Sequence, residues 1–382
     1  MGTHARTATT AAVAVILSAA LALPAAAAPP AGSGGHDATR RAVEAAVEDG
    51  VPGVTATVRD GRGTWSVTAG VGDMRTGEPR SARDRYRVGS VTKTFVATVL
   101  LQLEAEGRLS LDDTVDRWLP GLVDGHGHDG RRITLRQLLN HTSGVYNFLA
   151  DPAFRRTYLS EEGFLRHRYD TAKPEALVAV AMTHEPDFAP GTSWKYSNTN
   201  YTLAAMVIEK ATGRWYGEEI RRRIIVPLRL RATSVPGTRV TVPPPGSRAY
   251  ARLGTSATAP IHDVTELNPS LAYGSGEIVS DSADLNRFYT ALLRGRLLPP
   301  EQLKDMKTTV KVEAVPNAGY GLGLIDRELS CGVHVWGHSG DILGSLTEAV
   351  TTADGRHSLA FNFNGTWAGD TDTVIEAEYC GT

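Results

Sequence analysis

Arg87-Val88-Gly89-Ser90-Val91-Thr92-Lys93-Thr94-Phe95 sets a serine three residues ahead of a lysine, at the point where a helical pattern begins. Phe95, Val96, Val99, Leu100 and Leu103 recur at helical spacing, and Gly107 supplies a stop. A serine at a helix start lies among backbone N–H groups without partners, at the positive end of the helix dipole. A residue three positions on sits one turn up on the same face, so the Lys93 nitrogen reaches the Ser90 hydroxyl. A base beside a serine is what turns an ordinary hydroxyl into a nucleophile. Alone, the pair also reads as an N-cap serine with a solvated lysine, because Ser-x-x-Lys is a short motif.

The 382 residues are 41% hydrophobic and 21% charged, an ordinary globular composition, with a formal net charge of −2. Acids and bases are mixed throughout, so no basic stripe points to nucleic acid. The N-terminus reads as an export signal. Arg6 precedes an apolar run from Ala11 to Leu23, closed by Pro24 and the alanines Ala25 to Ala28. That run is short for a membrane span, and no cysteine follows it to carry a lipid. The expected organisation is a signal peptide over residues 1–28, a flexible lead-in over 29–35, and a secreted, soluble catalytic domain over 36–382 without a membrane anchor. A monomer is expected.

Export gives the two cysteines a meaning. Cys331 and Cys380 are expected to pair in an oxidising environment, the alternative being two free buried thiols. A loop of that length is worth roughly 4 kcal/mol in the chain-entropy model. The bond would staple a C-terminal helix to a strand.

Thr39 to Asp49 reads as a helix. Val54 to Val58 and Thr64 to Ala69 read as a hairpin around Asp60-Gly61-Arg62-Gly63. Helical patches follow at Leu135 to Leu139, Pro174 to Met182, Tyr201 to Ala211 and Tyr216 to Ile224, and Ser234 to Thr255 reads as a long surface connection. Strand character returns at Tyr320 to Leu324, Gly332 to Trp336, Leu346 to Thr352 and His357 to Asn364, before a helix from Asp372 to Tyr379. Strands at both ends imply an α+β fold: an antiparallel sheet flanked by helices, from about 36–110 and 256–382, with a mainly helical insertion over about 111–255.

Two more elements carry chemistry. Tyr196-Ser197-Asn198 puts a phenol and an amide on one side of a turn before a helix, although an Asn-rich cap reads the same way. Gly337-His338-Ser339-Gly340 follows a strand on which His334, Trp336 and His338 share a face. A lone strand histidine is also a common core residue. Asp124-Gly125-His126-Gly127-His128-Asp129-Gly130 has metal-ligand residue types but no regular element to fix them, so no metal is expected. Gly319, Gly321 and Gly323 alternate without phosphate-loop spacing, and no cofactor is called for.

In the order Ser-x-x-Lys, Tyr-x-Asn, His-x-Gly, the three elements resemble the penicillin-recognising serine enzymes: serine β-lactamases, D-alanyl-D-alanine peptidases and related esterases. The Tyr and His versions resemble the class C-like branch, and within it the secreted D-alanyl-D-alanine carboxypeptidase/transpeptidase members. The resemblance spans nearly all of the chain after the leader and includes the cysteine pair. It implies a β-lactamase/transpeptidase-like fold and acylation of Ser90. It implies that Lys93 activates Ser90 and lowers neighbouring pKa values, with Tyr196 as general base and acid. It further implies that Asn198 orients Lys93 and the substrate amide, and that His338 supports Tyr196. The Ser90 and Asp341 backbone N–H groups match the oxyanion hole. The partners it implies are a cell-wall peptide or small acyl substrate, and β-lactams as covalent ligands.

The substrate end departs from the pattern. The arginine that anchors a terminal carboxylate corresponds to Ile325, with Arg327 two residues on as a compensating cation. Ser339 keeps one hydroxyl beside Gly340, but the second hydroxyl position is Asp341. Phe154 and Thr157 match the acyl side, and a family tryptophan corresponds to Leu271. A carboxylate about 4 Å from a substrate carboxylate repels it by roughly 4 kcal/mol at an effective dielectric of 20. The first expectation is therefore a D-alanyl-D-alanine carboxypeptidase-like serine peptidase. The alternative is an esterase or D-amino-acid amidase or aminopeptidase on the same scaffold, and a third reading is a non-catalytic penicillin-binding sensor.

Overall fold

Gly61 and Arg62 turn the chain so that Asp60 pairs with Gly63, and the two arms run as β1 (Gly53–Asp60) and β2 (Gly63–Asp73). The computed structural model describes residues 35–254, 258–312 and 317–381. The expected leader over 1–28 lies outside the described residues, as does all of the lead-in but Gly35.

The hairpin belongs to a nine-stranded sheet completed by β3 (Glu78–Pro79), β4 (Val310–Lys311), β5 (Ala318–Tyr320), β6 (Ile325–Glu328), β7 (His334–Ile342), β8 (Ser345–Thr352) and β9 (Ser358–Phe363). The order across the sheet is β4-β5-β6-β7-β8-β9-β1-β2-β3, and every neighbouring pair is antiparallel. Val54 pairs with Phe363, so the two ends of the chain meet at mid-sheet.

Both faces are covered, which is why β9 is buried at all six positions. On one face lie α1 (Asp37–Glu48) and the C-terminal helix, their Val43, Ala46, Val374 and Ile375 packed on Phe361 and Phe363. On the other lies α2 (Thr92–Ala105), with a helical block behind it that includes α3 (Asn198–Thr212). Because α2 is sandwiched between sheet and block, Phe95 to Leu101 are all fully buried. The C-terminal helix is α5 (Thr371–Cys380). The Cys331–Cys380 disulfide ties it to the turn between β6 and β7, rather than to a strand itself.

Three departures from the sequence reading have physical causes. Helix α4 (Ser282–Leu293) covers the sheet beside α2, with Phe288 stacked 3.7 Å from Phe95. Its sheet-facing side includes Asn286, which donates to Thr57 O at 2.7 Å, and Thr290, so polar residues interrupt the apolar period. The strand read over Tyr320 to Leu324 ends at Tyr320, where the glycines serve close packing instead. A Cβ at Gly321 would lie 2.1 Å from Met306 O, and one at Gly323 would lie 3.0 Å from Lys93 O. The connection read over Ser234 to Thr255 contains Tyr250–Arg252, paired with Ile261–Asp263.

Candidate active site

Ser90 sits in a one-turn 3-10 helix (Gly89–Val91) that runs directly into α2. Strand β7 reaches it backbone to backbone. A Cβ at Gly340 would lie 1.9 Å from Val88 O and 3.0 Å from Ser90 N; one at Gly89, whose φ is +52°, would lie 2.8 Å from Asp341 N. Glycine at both positions sets the Ser90 and Asp341 amides side by side at the mouth of one cavity.

Lys93 is fully buried one turn up from Ser90. Its Nζ lies 3.0 Å from Ser90 Oγ, 2.8 Å from Asn198 Oδ1 and 2.8 Å from Ser275 O. Burial pulls the ammonium well below the ordinary lysine range, and no carboxylate opposes that pull. A neutral amine has two hydrogens and one lone pair. Asn198 Oδ1 and Ser275 O only accept, so they take the two hydrogens and leave the lone pair facing the Ser90 hydroxyl. Asn198 is held in turn by Asn147, whose Oδ1 accepts from the Asn198 backbone N–H at 3.1 Å and from its side-chain amide at 3.4 Å.

Tyr196 hydrogen-bonds Ser90 from the other side, with Lys93 Nζ 4.7 Å from its ring centroid. The expected lowering of this phenol by a Lys93 cation is not what the site does. Burial pushes Tyr196 up, and its hydrogen bond with Ser90 offsets only part of that rise.

His338 also differs from expectation. Its ring is 6.4 Å from that of Tyr196, and its hydrogen bonds go elsewhere. Nδ1 donates to Ser339 O at 2.5 Å, so Nε2 is the acceptor for the Tyr320 hydroxyl at 2.9 Å. Tyr320 in turn lies 3.1 Å from His141 Nε2, while His141 Nδ1 accepts from Ser197 N and Asn200 Nδ2, each at 3.2 Å. That fixes both tautomers: His141 donates to Tyr320, and Tyr320 donates to His338. Burial, followed by the positive charge that a protonated Lys93 would carry, brings His338 down to about 3; burial, Lys93 and His338 together hold His141 well below its usual range.

The cavity in front of Ser90 and Asn198 has a volume of about 300 Å³. Phe148, Phe154, Tyr158, Phe164 and Leu271 make its wall apolar, and Arg155 and Arg168 line the part built by the helical block. Of the expected substrate residues, Phe154, Leu271 and Asp341 line it. Thr157, Ser339, Gly340 and Ile325 do not: Tyr158 takes the place expected of Thr157, and Gly340 acts through backbone packing. Arg327 cannot replace the missing anchor. Its guanidinium is bound by Asp372, and its Nη2 is 3.6 Å from Glu348 Oε2. Asp341 is exposed at the strand surface, surrounding protein raises its carboxyl above the ordinary range, and it has neither hydrogen bond nor ion pair among the described residues. The loop from Asp124 to Gly130 is a two-residue ladder whose Asp129 is occupied by Arg131.

The sequence reading missed Asn147, Ser275, Tyr320 and His141. Only Tyr320 had a signal, since it alternates with the glycines around it.

The family model described as Beta-lactamase matches residues 39–374. The chain belongs to the beta-lactamase family. Within this family it is 61% identical to the D-stereospecific amidohydrolase from Streptomyces sp., with a TM-score of 0.87, covering 91% of this chain and 99% of that one. It is 28% identical to the D-amino acid amidase from Ochrobactrum anthropi SV3, with a TM-score of 0.77 and coverage of 91% and 99%. Penicillin-binding protein 4* of Bacillus subtilis is 28% identical over 77% of this chain, which spans 64% of that relative's length. The chain thus has the β-lactamase/transpeptidase-like fold of penicillin-binding-like serine hydrolases.

Proposed function

We propose that the protein is a D-stereospecific amidohydrolase that cleaves amides and esters of D-amino acids through an acyl-enzyme on Ser90. The observation that carries this reading is Asp341 on the lining of the Ser90 cavity, its carboxylate without a partner among the described residues, with Ile325 outside that cavity and Arg327 committed to Asp372. Such a site repels a substrate's terminal carboxylate and attracts the ammonium of an amino-acyl group. The apolar wall of Phe154, Tyr158 and Phe164 suits a bulky side chain. The likeness to the Streptomyces amidohydrolase and the Ochrobactrum amidase supports the same class. The expectation of a carboxypeptidase gives way to its alternative, because the carboxylate anchor is missing.

In the proposed cycle, Ser90 Oγ attacks the substrate carbonyl as its proton passes to the Lys93 lone pair. The Ser90 and Asp341 amides stabilise the oxyanion, a contribution of about 3 to 4 kcal/mol per donor in comparable enzymes. Tyr196 gives its proton to the departing amine or alkoxide and regains one from the Lys93 ammonium. Water then takes the leaving group's place and the same transfers run in reverse. Tyr196 is the acid of acylation here, and Lys93 rather than Tyr196 is the base. Export is part of the proposal: residues 1–28 read as a leader, and a disulfide in the folded part suits an oxidising compartment.

The test compares D-phenylalanine amide and methyl ester with their L-enantiomers and with a peptide ending in D-Ala-D-Ala, using Ser90→Ala as the blank. Preferential release from the D-amide and D-ester is expected. A preference for the free-carboxylate peptide would overturn the reading.

A further inference from the structure

We propose that a second cleft, sharing no residue with the Ser90 cavity, binds an oligophosphate chain. Its volume is about 530 Å³, and Arg83, Arg85, Arg229, Arg231 and Arg287 converge on it. In a chain of net charge −2 this is a pronounced local excess of one sign. No carboxylate lies within 4.0 Å of any of these five guanidinium groups among the described residues.

Two acids do line the cleft, and both are used by the fold. Asp281 caps α4 by accepting from Asp284 N at 2.8 Å. One oxygen of Asp284 accepts from Ala232 N, Thr233 N and Thr233 Oγ1. Burial raises both carboxyls, Asp281 to about 6, against the charges of Arg85 and Arg287, and two acids facing five guanidinium groups leave the excess positive. Two of the arginines are set in place by main-chain carbonyls. Arg85 donates to Pro244 O at 2.8 Å and Arg231 O at 3.4 Å, and Arg287 donates to Arg229 O at 3.0 Å. Their remaining N–H groups stay available in a fixed frame.

Guanidinium forks suit phosphate oxygens, and a cleft with five of them exceeds what one phosphate needs. Arg287 and Ala283 also line an adjoining depression of about 610 Å³ that holds Arg59 and Arg62, where Asp60 is ion-paired to Arg62 and Arg59 extends the cationic track for a chain. No aromatic side chain lines either depression. A base-bearing polymer would therefore find no stacking surface, which favours a plain phosphate chain over a nucleic acid.

The test is calorimetric titration of the full protein at physiological salt with two probes, inorganic tripolyphosphate and a poly(glycerol phosphate) oligomer. Among the described residues Arg83 and Arg231 make no side-chain hydrogen bond, so the double variant Arg83→Gln, Arg231→Gln is expected to keep the fold. We expect at least one probe to bind, the double variant to lose about tenfold or more in affinity, and hydrolysis of a small neutral ester to be unchanged. The tighter probe distinguishes a free oligophosphate from a phosphodiester polymer. An equal loss in Arg75→Gln, Arg356→Gln, which removes two exposed charges elsewhere, would overturn the proposal. So would binding that survives in the double variant, no binding of either probe, or equal binding of dextran sulfate or a single-stranded oligonucleotide.

Discussion

The Tyr320 hydroxyl donates to His338 Nε2 at 2.9 Å, and that bond, rather than one to Tyr196, holds the His338 ring. Both groups are buried, so removing the hydroxyl leaves two imidazole nitrogens, on His338 and His141, without partners. Tyr320→Phe is expected to keep the fold and to lower kcat about tenfold with KM little changed, since the relay positions the groups behind Ser90 rather than the substrate. An unchanged kcat, or a rise confined to KM, would mean that the relay only fills space.

In the proposed cycle Lys93 is expected to set the acid limb of the rate. Its folded pKa is depressed by burial, so it is neutral above that value and takes up a proton as pH falls through it. kcat/KM should therefore fall with decreasing pH along a single limb. His338 lies at about 3 and does not titrate in the working range, so a conservative His338→Gln variant should keep the position of that limb. Lys93→Arg, which stays cationic, should lose activity at every pH. A limb that moves with His338→Gln would contradict this assignment.

Gly340→Ala tests the backbone contact that would build the proposed oxyanion site. Its Cβ would meet Val88 O at 1.9 Å, a main-chain atom that no side-chain rotation can relieve. The strand must back away from Ser90. Loss of one oxyanion donor costs about 10²–10³ in kcat in comparable enzymes. A fall of that order in the acylation rate, measured by burst kinetics, is expected together with lower stability to urea. Retention of the burst amplitude and rate would place the oxyanion donors elsewhere.

The disulfide joins positions 49 apart in sequence, far from Ser90. Cys380→Ala should destabilise the fold by about 4 kcal/mol in the chain-entropy model. Urea unfolding reads this directly, and reduction of the parent protein should match it. Activity at 25 °C should be unaffected, because α5 packs on the sheet face opposite α2.

The legible parts of the chain were those where local chemistry and local structure coincide. Ser90 and Lys93 are one helical turn apart, so their contact follows from spacing alone. The β1–β2 hairpin followed from Gly61 and its neighbours, and α3 was read only three residues late because Asn198, a poor interior helix former, starts it. Helix α4 was not legible because its buried Asn286 and Thr290 answer to the sheet beneath them.

The sequence by itself determined the antiparallel α+β class, and it singled out Ser90, Lys93, Tyr196, Asn198 and His338 as the candidate site. It also gave the expectation of an altered carboxylate anchor at Ile325 and Asp341. Only the tertiary structure decided what those residues do to one another. Whether Lys93 is neutral depends on burial by elements up to 182 positions away, such as Ser275. Whether Arg327 reaches the substrate depended on Asp372, 45 positions on, which binds it instead. The partner of His338 was Tyr320, fixed by His141 from the inserted block. Charge state and hydrogen-bond partner are set by everything that surrounds a group in space, and sequence spacing reports only the neighbours along the chain.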